Sequence, residues 1–278
     1  MTVEQPVKVN RAGRAVSDAG VLAWRNLKRI PRTPDMVIYA TIQPIMFVLL
    51  FAYVFGNAIP IPGFPGPRAY REFLMAGIFA QTMAFAVASS SVGLADDMSK
   101  GLVDRFRSLP MARSGVISGR VVGDLVFNGF VMIVMVVCGF IVGWRWHNGF
   151  GQAMAAFAIL LLFAFAMLWV GALIGLSVGS PAVASSAGLI WLFPLVFLSN
   201  AFVPTPNLPS GLQPVAEWNP ISSIVASSRH LFGNPSPFAS PDSFPARHPV
   251  LLSLLWCTAI IAVFAPLAVR KYRSATAH

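Results

Sequence analysis

Long apolar runs with almost no charge alternate along this chain with short stretches rich in Lys, Arg and Asp. Six of the runs are long enough to cross a bilayer, which takes about 20 apolar residues in a helix. Only helices and closed barrels satisfy every backbone group inside lipid, so the runs predict an all-α polytopic membrane protein. The six predicted transmembrane helices cover about residues 36–56, 73–95, 117–143, 153–179, 183–203 and 249–269.

The composition argues against an ordinary soluble domain. The 278 residues are 56% hydrophobic and 11% charged, whereas soluble domains carry about 25% charged residues. Cys138 and Cys257 lie inside apolar runs, which indicates buried side chains rather than a disulfide framework, and no His pair has metal-ligand spacing. We therefore expect no metal site, and one six-helix membrane domain over 36–270 between tails at 1–17 and 271–278.

Lys and Arg concentrate on one side of the predicted membrane. With six spans, both termini lie on the same side as the loop between spans two and three. That side carries fifteen Lys and Arg residues and the opposite side carries five. Short loops rich in Lys and Arg stay in the cytoplasm, so both termini are predicted to be cytoplasmic in a bacterial plasma membrane. This bias explains the net charge of +10 without a nucleic-acid partner.

Residues 18–35 precede the first span and are predicted to form an interfacial amphipathic helix. Val21, Trp24, Leu27 and Ile30 recur at intervals of three, with basic residues between or just after them. This spacing suits a helix that lies in the headgroup layer with its apolar face in lipid. The alternative is a polar tail that happens to contain apolar residues.

The outer segment between spans five and six, 204–248, is unusually apolar for a loop. Two stretches in it could form short helices, one near Gly211–Trp218 and one near Ile221–Phe232. Asn-Pro between them is a good helix start signal. A re-entrant pair that dips back into the membrane is one interpretation. The candidate site residues of this segment are Trp218, Asn219, Pro220 and Arg229.

The loop at 96–120 carries five basic and three acidic residues between two nearly uncharged runs. On a helix over 98–109, four apolar residues share one face. They are Met98, Leu102, Phe106 and Leu109. Pro110 then discourages continuation of the helix. The apolar stripe could insert into a groove of a partner or rest on the end of its own bundle, and periodicity alone does not choose between these alternatives.

The run DDMSKGLVDRFRSLPMARSGVISGR at 96–120 resembles the cytoplasmic loop of ABC type-2 exporter permeases. It looks like the branch named for daunorubicin and doxorubicin resistance, where an acidic residue, a Gly, an acidic-Arg-aromatic run and Leu-Pro precede a Ser/Arg-rich restart. A second stretch, FPLVFLSNAFVPTPNLPSGLQPVAEWNPISSIVASSRHLFG, is similar to the same family's segment from span five onward. The resemblance covers about residues 20–272 and implies an actinobacterial source.

The resemblance implies the membrane subunit of an ATP-driven exporter. Such a permease pairs with a second permease, a copy or a sister subunit, and a separate subunit binds ATP and Mg²⁺. The loop at 96–112 would be the coupling helix that links this ATPase to export of a hydrophobic drug, lipid or glycolipid from the cytoplasm or inner leaflet. Carried over by position, the residues that form or shape this contact would be Asp97, Gly101, Leu102, Asp104, Arg105, Phe106, Leu109 and Pro110.

Four polar residues in or beside the predicted spans are candidates for function. An acid inside a membrane is costly and often functional, and Asp124 could pair with Arg120, take part in conformational coupling or relay protons. For the amides, helix–helix hydrogen bonds are the default and a place on a transport pathway is the alternative. The four residues are Asp124, Gln81, Asn128 and Asn200.

Span four contains a G-x-x-x-G motif at Gly171 and Gly175. Such a motif is typical of close helix packing in membranes. Whether the contact lies within one chain or between two subunits stays open at this point.

The lysines bear on the energy source. None of the four follows a glycine, so the sequence contains no G-x-x-x-x-G-K-[ST] phosphate loop. No His lies near a candidate nucleophile in a shared motif, so no catalytic residue is predicted and the chain itself is not expected to be an enzyme. The alternatives are a polytopic membrane enzyme acting on lipid and an ion-coupled secondary transporter, which the lack of repeats and of mid-membrane charge disfavours.

Overall fold

A computed structural model of the chain describes residues 34–54, 61, 63, 66–100 and 113–275. Within these residues every regular element is a helix, which confirms the all-α prediction for this part of the chain. Most of the predicted interfacial helix at 18–35 lies outside the described residues. The described α-helices are α1 (Pro34–Leu49), α2 (Pro67–Ala84), α3 (Ala86–Ser99), α4 (Arg113–Val142), α5 (Phe150–Ser177), α6 (Pro181–Leu189), α7 (Leu192–Phe197), α8 (Gln213–Trp218), α9 (Pro220–Phe232), α10 (Phe244–Arg247) and α11 (Pro249–Ala275).

Four helical stretches are long and apolar enough to cross a membrane. They lie where spans two, three, four and six were predicted, at Arg68–Ser99, Ile117–Val142, Phe150–Ser177 and Pro249–Ser274. Where spans one and five were predicted, the apolar helices are shorter, at Thr41–Val54 and Pro181–Phe197. The described residues therefore contain an apolar helix at each predicted place, and four of these helices have full spanning length.

The predicted fifth span is not one continuous helix. α6 and α7 are separated by a turn at Ile190–Trp191, and after α7 the chain turns irregularly over 198–203. Pro194 explains the interruption, because it has no amide hydrogen to bond to the carbonyl oxygen one helical turn earlier. Pro44 and Pro266, in contrast, lie inside α1 and α11 without ending them.

Successive long helices run between the two ends of the bundle. We call the end where α3 finishes and α4 begins the loop end, and the end where α4 finishes and α5 begins the far end. The π-helical turn after α1 reaches the far end, since Arg71 at the start of α2 lies 5.4 Å from the ring centroid of Tyr53. α11 begins at the far end, where Ser253 donates to the carbonyl oxygen of Ser223 at 2.8 Å. Both ends of the described chain therefore lie at the loop end.

α3 is packed tightly between α5 and α6. A Cβ on Gly171 or Gly175 of α5 would overlap a backbone carbonyl oxygen of α3. On the α6 side, a Cβ on Gly188 would lie 2.9 Å from Oγ of Ser91. The G-x-x-x-G motif is thus a contact within one chain, and glycine is required because the backbones approach so closely.

Two serines of α3 connect it further to its neighbours. Ser90 Oγ donates to the carbonyl oxygen of Leu168 in α5 at 3.1 Å. Ser91 Oγ donates to the carbonyl oxygen of Ala184 in α6 at 3.0 Å. Glycine contacts and hydrogen bonds together join α3, α5 and α6 into one unit, so α3 cannot shift without its neighbours.

The two short helices predicted in the outer segment are present as α8 and α9. Asn219 caps α9 by accepting a hydrogen bond from the amide of Ile221 at 2.8 Å, as expected for Asn at a helix start. α9 ends at Phe232 and is followed by Gly233, whose φ of 72° suits glycine. A 3-10 turn at Thr205–Asn207 and the short α10 were not predicted. α9 packs among α2, α5 and α11 at the far end.

Candidate functional site

Three charged side chains meet at the loop end. Arg120 of α4 donates from Nη1 to the carboxylate of Asp97 near the end of α3. Its Nε donates to Oδ2 of Asp124, one turn further along α4, at 3.3 Å. The exposed fractions of the Arg120, Asp97 and Asp124 side chains are 29%, 30% and 20%, so water screens this network less than it screens a fully exposed ion pair. We call these three residues the loop-end network.

Gly93 of α3 makes room for the network. A Cβ there would overlap Nη2 of Arg120, so the guanidinium lies directly against the α3 backbone. Arg120 therefore contacts α3 at Gly93 and at Asp97, one turn apart. The guanidinium is planar with donors in fixed directions, so a change in the angle between α3 and α4 must rearrange these contacts.

Of the eight residues predicted to contact an ATP-binding subunit, Asp97 belongs to the described part of the chain. Its carboxylate is engaged by Arg120 of the same chain, which the sequence did not indicate. Just after α3 ends, Nζ of Lys100 donates to Oδ2 of Asp96 at 2.6 Å. The other seven predicted contact residues, from Gly101 to Pro110, lie outside the described residues.

The structure places two of the four polar candidates of the spans together on α4 and the other two on different elements. Asp124 pairs with Arg120, which was one of the alternatives from the sequence. Asn128 donates from Nδ2 to the carbonyl oxygen of Asp124 at 2.8 Å. Gln81 is buried within α2, and Asn200 is buried in the turn after α7. Within the described ranges, no group of three or more His, Cys, Asp or Glu could hold a metal ion.

Arg229 is the predicted site residue whose surroundings were least expected. Its side chain is buried at 0% exposure near the far end. Nε donates to the carbonyl oxygen of Phe73 in α2 at 2.9 Å. Nη2 donates to the carbonyl oxygens of Asn200 and Ala201 at 2.9 and 3.1 Å, in the turn where the helical hydrogen-bond pattern stops. One side chain therefore joins α9, α2 and the turn after α7.

The charge of Arg229 is balanced by dipoles and an aromatic ring. Its guanidinium carbon lies 3.4 Å from the centroid of the Phe73 ring, whose face carries the negative end of the ring quadrupole. No ion pair between described residues involves Arg229, and its Nη1 has no hydrogen-bond partner among them. Burying a cation is costly unless it is compensated, so the three carbonyl oxygens and the Phe73 ring are essential to this arrangement.

The other three residues predicted in the outer segment lie where α8 ends and α9 begins. Asn219 donates from Nδ2 to the carbonyl oxygen of Leu195 in α7 at 2.8 Å, and Pro220 occupies the first turn of α9. Trp218 is 52% exposed and stacks on Phe244 with the ring centroids 6.1 Å apart. Asn219 and Arg229 thus attach the two ends of α9 to α7 and the turn that follows it.

A second charged cluster, at the far end, was not predicted. Glu72 accepts from Nε of Arg68 at 3.2 Å and pairs with Nε2 of His147 at 3.1 Å. Arg71 donates to the carbonyl oxygen of Val142 at 3.3 Å. These contacts join the start of α2 to the connection between α4 and α5. The spacing of four between Arg68 and Glu72 was a usable local signal, whereas His147 is 75 residues from Glu72 and no local pattern connects them.

An aromatic strip runs along one side of the bundle toward the far end. Neighbouring ring centroids are 4.7 to 6.4 Å apart, which is a favourable range for aromatic pairs. Phe193 and Phe197 are 44% and 60% exposed, so the strip presents aromatic surface outside the packed core. It consists of Phe85, Phe193, Phe197, Phe202, Phe51 and Phe47.

Comparison with known proteins connects this architecture to transport. Residues 18–232 match the family of ABC-2 type transporters. The chain is 30% identical over 270 residues to the daunorubicin resistance ABC transporter permease protein DrrB1 of Streptomyces coeruleorubidus. That similarity covers 96% of this chain and 91% of the relative.

Two proteins of Mycobacterium tuberculosis are also similar. The doxorubicin resistance ABC transporter permease protein DrrB is 30% identical over 231 residues, which cover 80% of this chain and 77% of the relative. The probable doxorubicin resistance ABC transporter permease protein DrrC is 24% identical over 281 residues, which cover 98% of this chain and 94% of the relative. The family match and the series of apolar helices lead to one conclusion: the chain belongs to the ABC-2 type transporter permeases.

Proposed function

We propose that this chain is the membrane-spanning permease subunit of an ATP-driven exporter of a hydrophobic compound. The observation that carries the proposal is membership of the ABC-2 family over most of the chain. In this family the membrane subunit works with a separate ATP-binding subunit, which would hold ATP and Mg²⁺. Family membership also argues against the lipid-modifying enzyme and the ion-coupled transporter.

The segment at 96–112 is proposed to act as the coupling helix. Its apolar stripe, with Leu102, Phe106 and Leu109, would insert into a groove of the ATP-binding subunit. The loop-end network supports this role, because Asp97 and Arg120 stand on either side of residues 101–112. A displacement of this segment by the ATP-binding subunit would change the contact between α3 and α4. Because α3 is packed tightly against α5 and α6, these helices would move with it.

The aromatic strip is proposed to contact the cargo. Two permeases, either two copies of this chain or this chain and a sister subunit, would place such surfaces along a shared pathway. Exposed Phe rings bind flat ring systems well, since offset stacking adds about 0.5–1.5 kcal/mol to the gain from burying apolar area. The strip therefore favours a planar aromatic drug over a lipid or glycolipid, in line with the drugs in the names of the relatives.

The proposed topology has six spans with both termini in the cytoplasm. α8 and α9 would then form the re-entrant pair on the outer side, with Arg229 satisfying the carbonyls of the interrupted fifth span. Single cysteines at Ser274 and Ser240, in a background without Cys138 and Cys257, test this arrangement. An impermeant maleimide should label the Ser240→Cys protein in intact cells and the Ser274→Cys protein only in inverted vesicles. Labelling of both from the same side contradicts the topology.

The decisive experiment for the coupling proposal is co-purification. The chain is expressed with its genomic neighbours, extracted into nanodiscs, and the associated proteins are identified by mass spectrometry. We expect a soluble subunit that contains a phosphate loop. Phe106→Asp places a charge on the apolar stripe and should release that subunit, while Ser108→Asp, which adds the same charge off the stripe, should retain it.

Two results would contradict the proposal in different ways. If no ATP-binding subunit accompanies the wild-type chain, the assignment to an ATP-driven exporter is wrong. If the subunit binds the Phe106→Asp and Ser108→Asp proteins equally, the exporter assignment stands and the coupling contact lies elsewhere.

A further inference from the structure

An apolar groove is lined by residues of α5, α7 and α11. Its volume is about 320 Å³ and its lining is entirely apolar. The start of α9, at Pro220 and Ile221, contributes to the wall. The lining side chains used below are Phe163 and Ile174 of α5, Trp191 just before α7, Leu195 of α7, and Ile260 and Phe264 of α11.

The lining residues are spread along the bundle. Phe163 and Ile174 are eleven residues apart on α5, which corresponds to about 16 Å along the helix axis. The groove encloses about 320 Å³, a volume within the range of small-molecule sites, and its apolar lining matches a hydrocarbon ligand.

The groove lies at the depth of the membrane interior and is accessible from the side of the bundle. Ile260 and Phe264 lie near the middle of the apolar stretch Pro249–Ser274, which is long enough to span a membrane. Ile174, Trp191 and Leu195 are only partly buried, so the groove is accessible from the side of the bundle. An entirely apolar space offers water no hydrogen-bond partner. At mid-membrane depth the surrounding solvent is lipid hydrocarbon.

We infer that this groove binds one fatty acyl chain of a bilayer phospholipid as part of the folded subunit. The bound chain fills the space between α7 and α11 and packs against the start of α9. The same region is held by the Asn219 hydrogen bond to the Leu195 carbonyl oxygen at 2.8 Å, so the lipid chain stabilises the attachment of α9 to α7. This inference requires only that the chain spans a membrane and does not depend on the proposed coupling or cargo.

The test measures lipid retained by the full-length chain. The protein is reconstituted with a palmitoyl-oleoyl phosphatidylglycerol, washed extensively in detergent, and examined by native mass spectrometry. Ile174→Phe and Ile260→Phe fill the groove from two different helices. Val263→Phe is the matched control, because Val263 lies on α11 at 53% exposure and outside the lining.

We expect the wild-type chain and the Val263→Phe protein to retain one phospholipid per chain. Each groove-filling variant should retain about tenfold less, which corresponds to about 1.4 kcal/mol of binding free energy. A wild-type chain that retains no phospholipid, or that retains a compound other than a lipid, overturns the inference, and this result does not depend on whether the variants fold. Equal retention by the groove-filling variants and the control also overturns it.

Discussion

The guanidinium of Arg229 contacts Phe73 twice, at its ring and at its carbonyl oxygen. Its carbon is 3.4 Å from the centroid of the Phe73 ring, and its Nε donates to the Phe73 carbonyl oxygen at 2.9 Å. The same side chain supplies donors to the carbonyl oxygens of the turn after α7. A buried cation therefore supplies donors to carbonyl oxygens at the point where the chain leaves its helical hydrogen-bond pattern.

Replacing Arg229 with Met should destabilise the protein. The substitution leaves the carbonyl oxygens of Phe73, Asn200 and Ala201 without this donor, and an unsatisfied buried polar group costs about 1–3 kcal/mol. We expect a loss of about 2 kcal/mol or more in total, because removing the buried charge offsets part of the cost. The measurement is the midpoint of thermal unfolding in detergent.

Two further variants make this prediction specific. Arg229→Lys should fall between the wild type and Arg229→Met, because an ammonium cannot donate in two fixed directions. Arg247→Met removes an exposed arginine that pairs with Asp242 and should change stability by less than about 0.5 kcal/mol. Equal midpoints for the Arg229→Met and Arg247→Met proteins would show that the buried contacts contribute nothing.

The pairing of Arg120 with Asp97 should be measurable by a double-mutant cycle. Both side chains are about 30% exposed, so we expect a favourable coupling energy of about 1 kcal/mol between Arg120→Ala and Asp97→Ala. The more exposed Lys100–Asp96 pair provides the control cycle, with about 0.3 kcal/mol expected. Chemical unfolding of the purified protein gives both coupling energies. Equal coupling energies would contradict the claim that partial burial strengthens the Arg120–Asp97 pair.

The same substitution tests transmission through the loop-end network. If α4 receives a push on residues 101–112 through Arg120, Arg120→Ala should reduce ATP-driven transport by about tenfold or more, a change of about 1.4 kcal/mol in the activation barrier. The ATP-binding subunit should remain bound. Transport at the wild-type rate by this variant would exclude the network from coupling.

Gly175→Ala should destabilise the bundle because its Cβ would overlap the backbone of α3 at Ser91. Overpacking of this kind costs about 1–3 kcal/mol. Gly151 lies on the same helix with open space around it, so Gly151→Ala should be neutral or stabilising by up to about 1 kcal/mol. Thermal unfolding of the two variants in detergent compares them directly, and equal effects would mean that the close contact of α5 and α3 is not as described.

Under the proposed cargo role, Phe193→Ala should weaken transport of a flat aromatic compound while the protein stays folded. The side chain is 44% exposed and makes ring contacts with Phe85 and Phe197, so its loss should lower stability by about 1 kcal/mol. Loss of one stacking partner should reduce uptake of doxorubicin into inverted vesicles by about three- to tenfold. Ile133→Ala, at an exposed position of α4, should leave uptake unchanged. Equal uptake by the Phe193→Ala and Ile133→Ala proteins would contradict the proposal that the aromatic strip contacts the cargo.

The sequence predicted the long helices well because their signal is local. A run of about 20 apolar residues is favourable in lipid only as a helix, and α4, α5 and α11 satisfy this condition by themselves. The start of α9 was also predictable, because Asn219-Pro220 combines a side-chain cap with a residue suited to the first turn. The possible pairing of Arg120 with Asp124 follows from a spacing of four on one helix.

Other features depended on residues far apart in the chain. Pro44, Pro194 and Pro266 look alike in the sequence, yet of the three segments that hold them only the one with Pro194 is interrupted. The carbonyl oxygens of Asn200 and Ala201, in the turn after α7, accept from Arg229, which lies 29 and 28 residues away. The partner of Glu72 at His147 could not be read from any local pattern either.

The sequence by itself therefore determined the class of protein, the order of its helices and the charge bias that predicts their orientation, since each follows from the free energy of moving a short segment into lipid. Only the tertiary structure decided which helix Gly171 and Gly175 approach, where the cation of Arg229 is compensated, and that Arg120 joins α3 to α4. These outcomes depend on close contacts between helices, whose energies are set by the shape of both partners and not by the composition of either one.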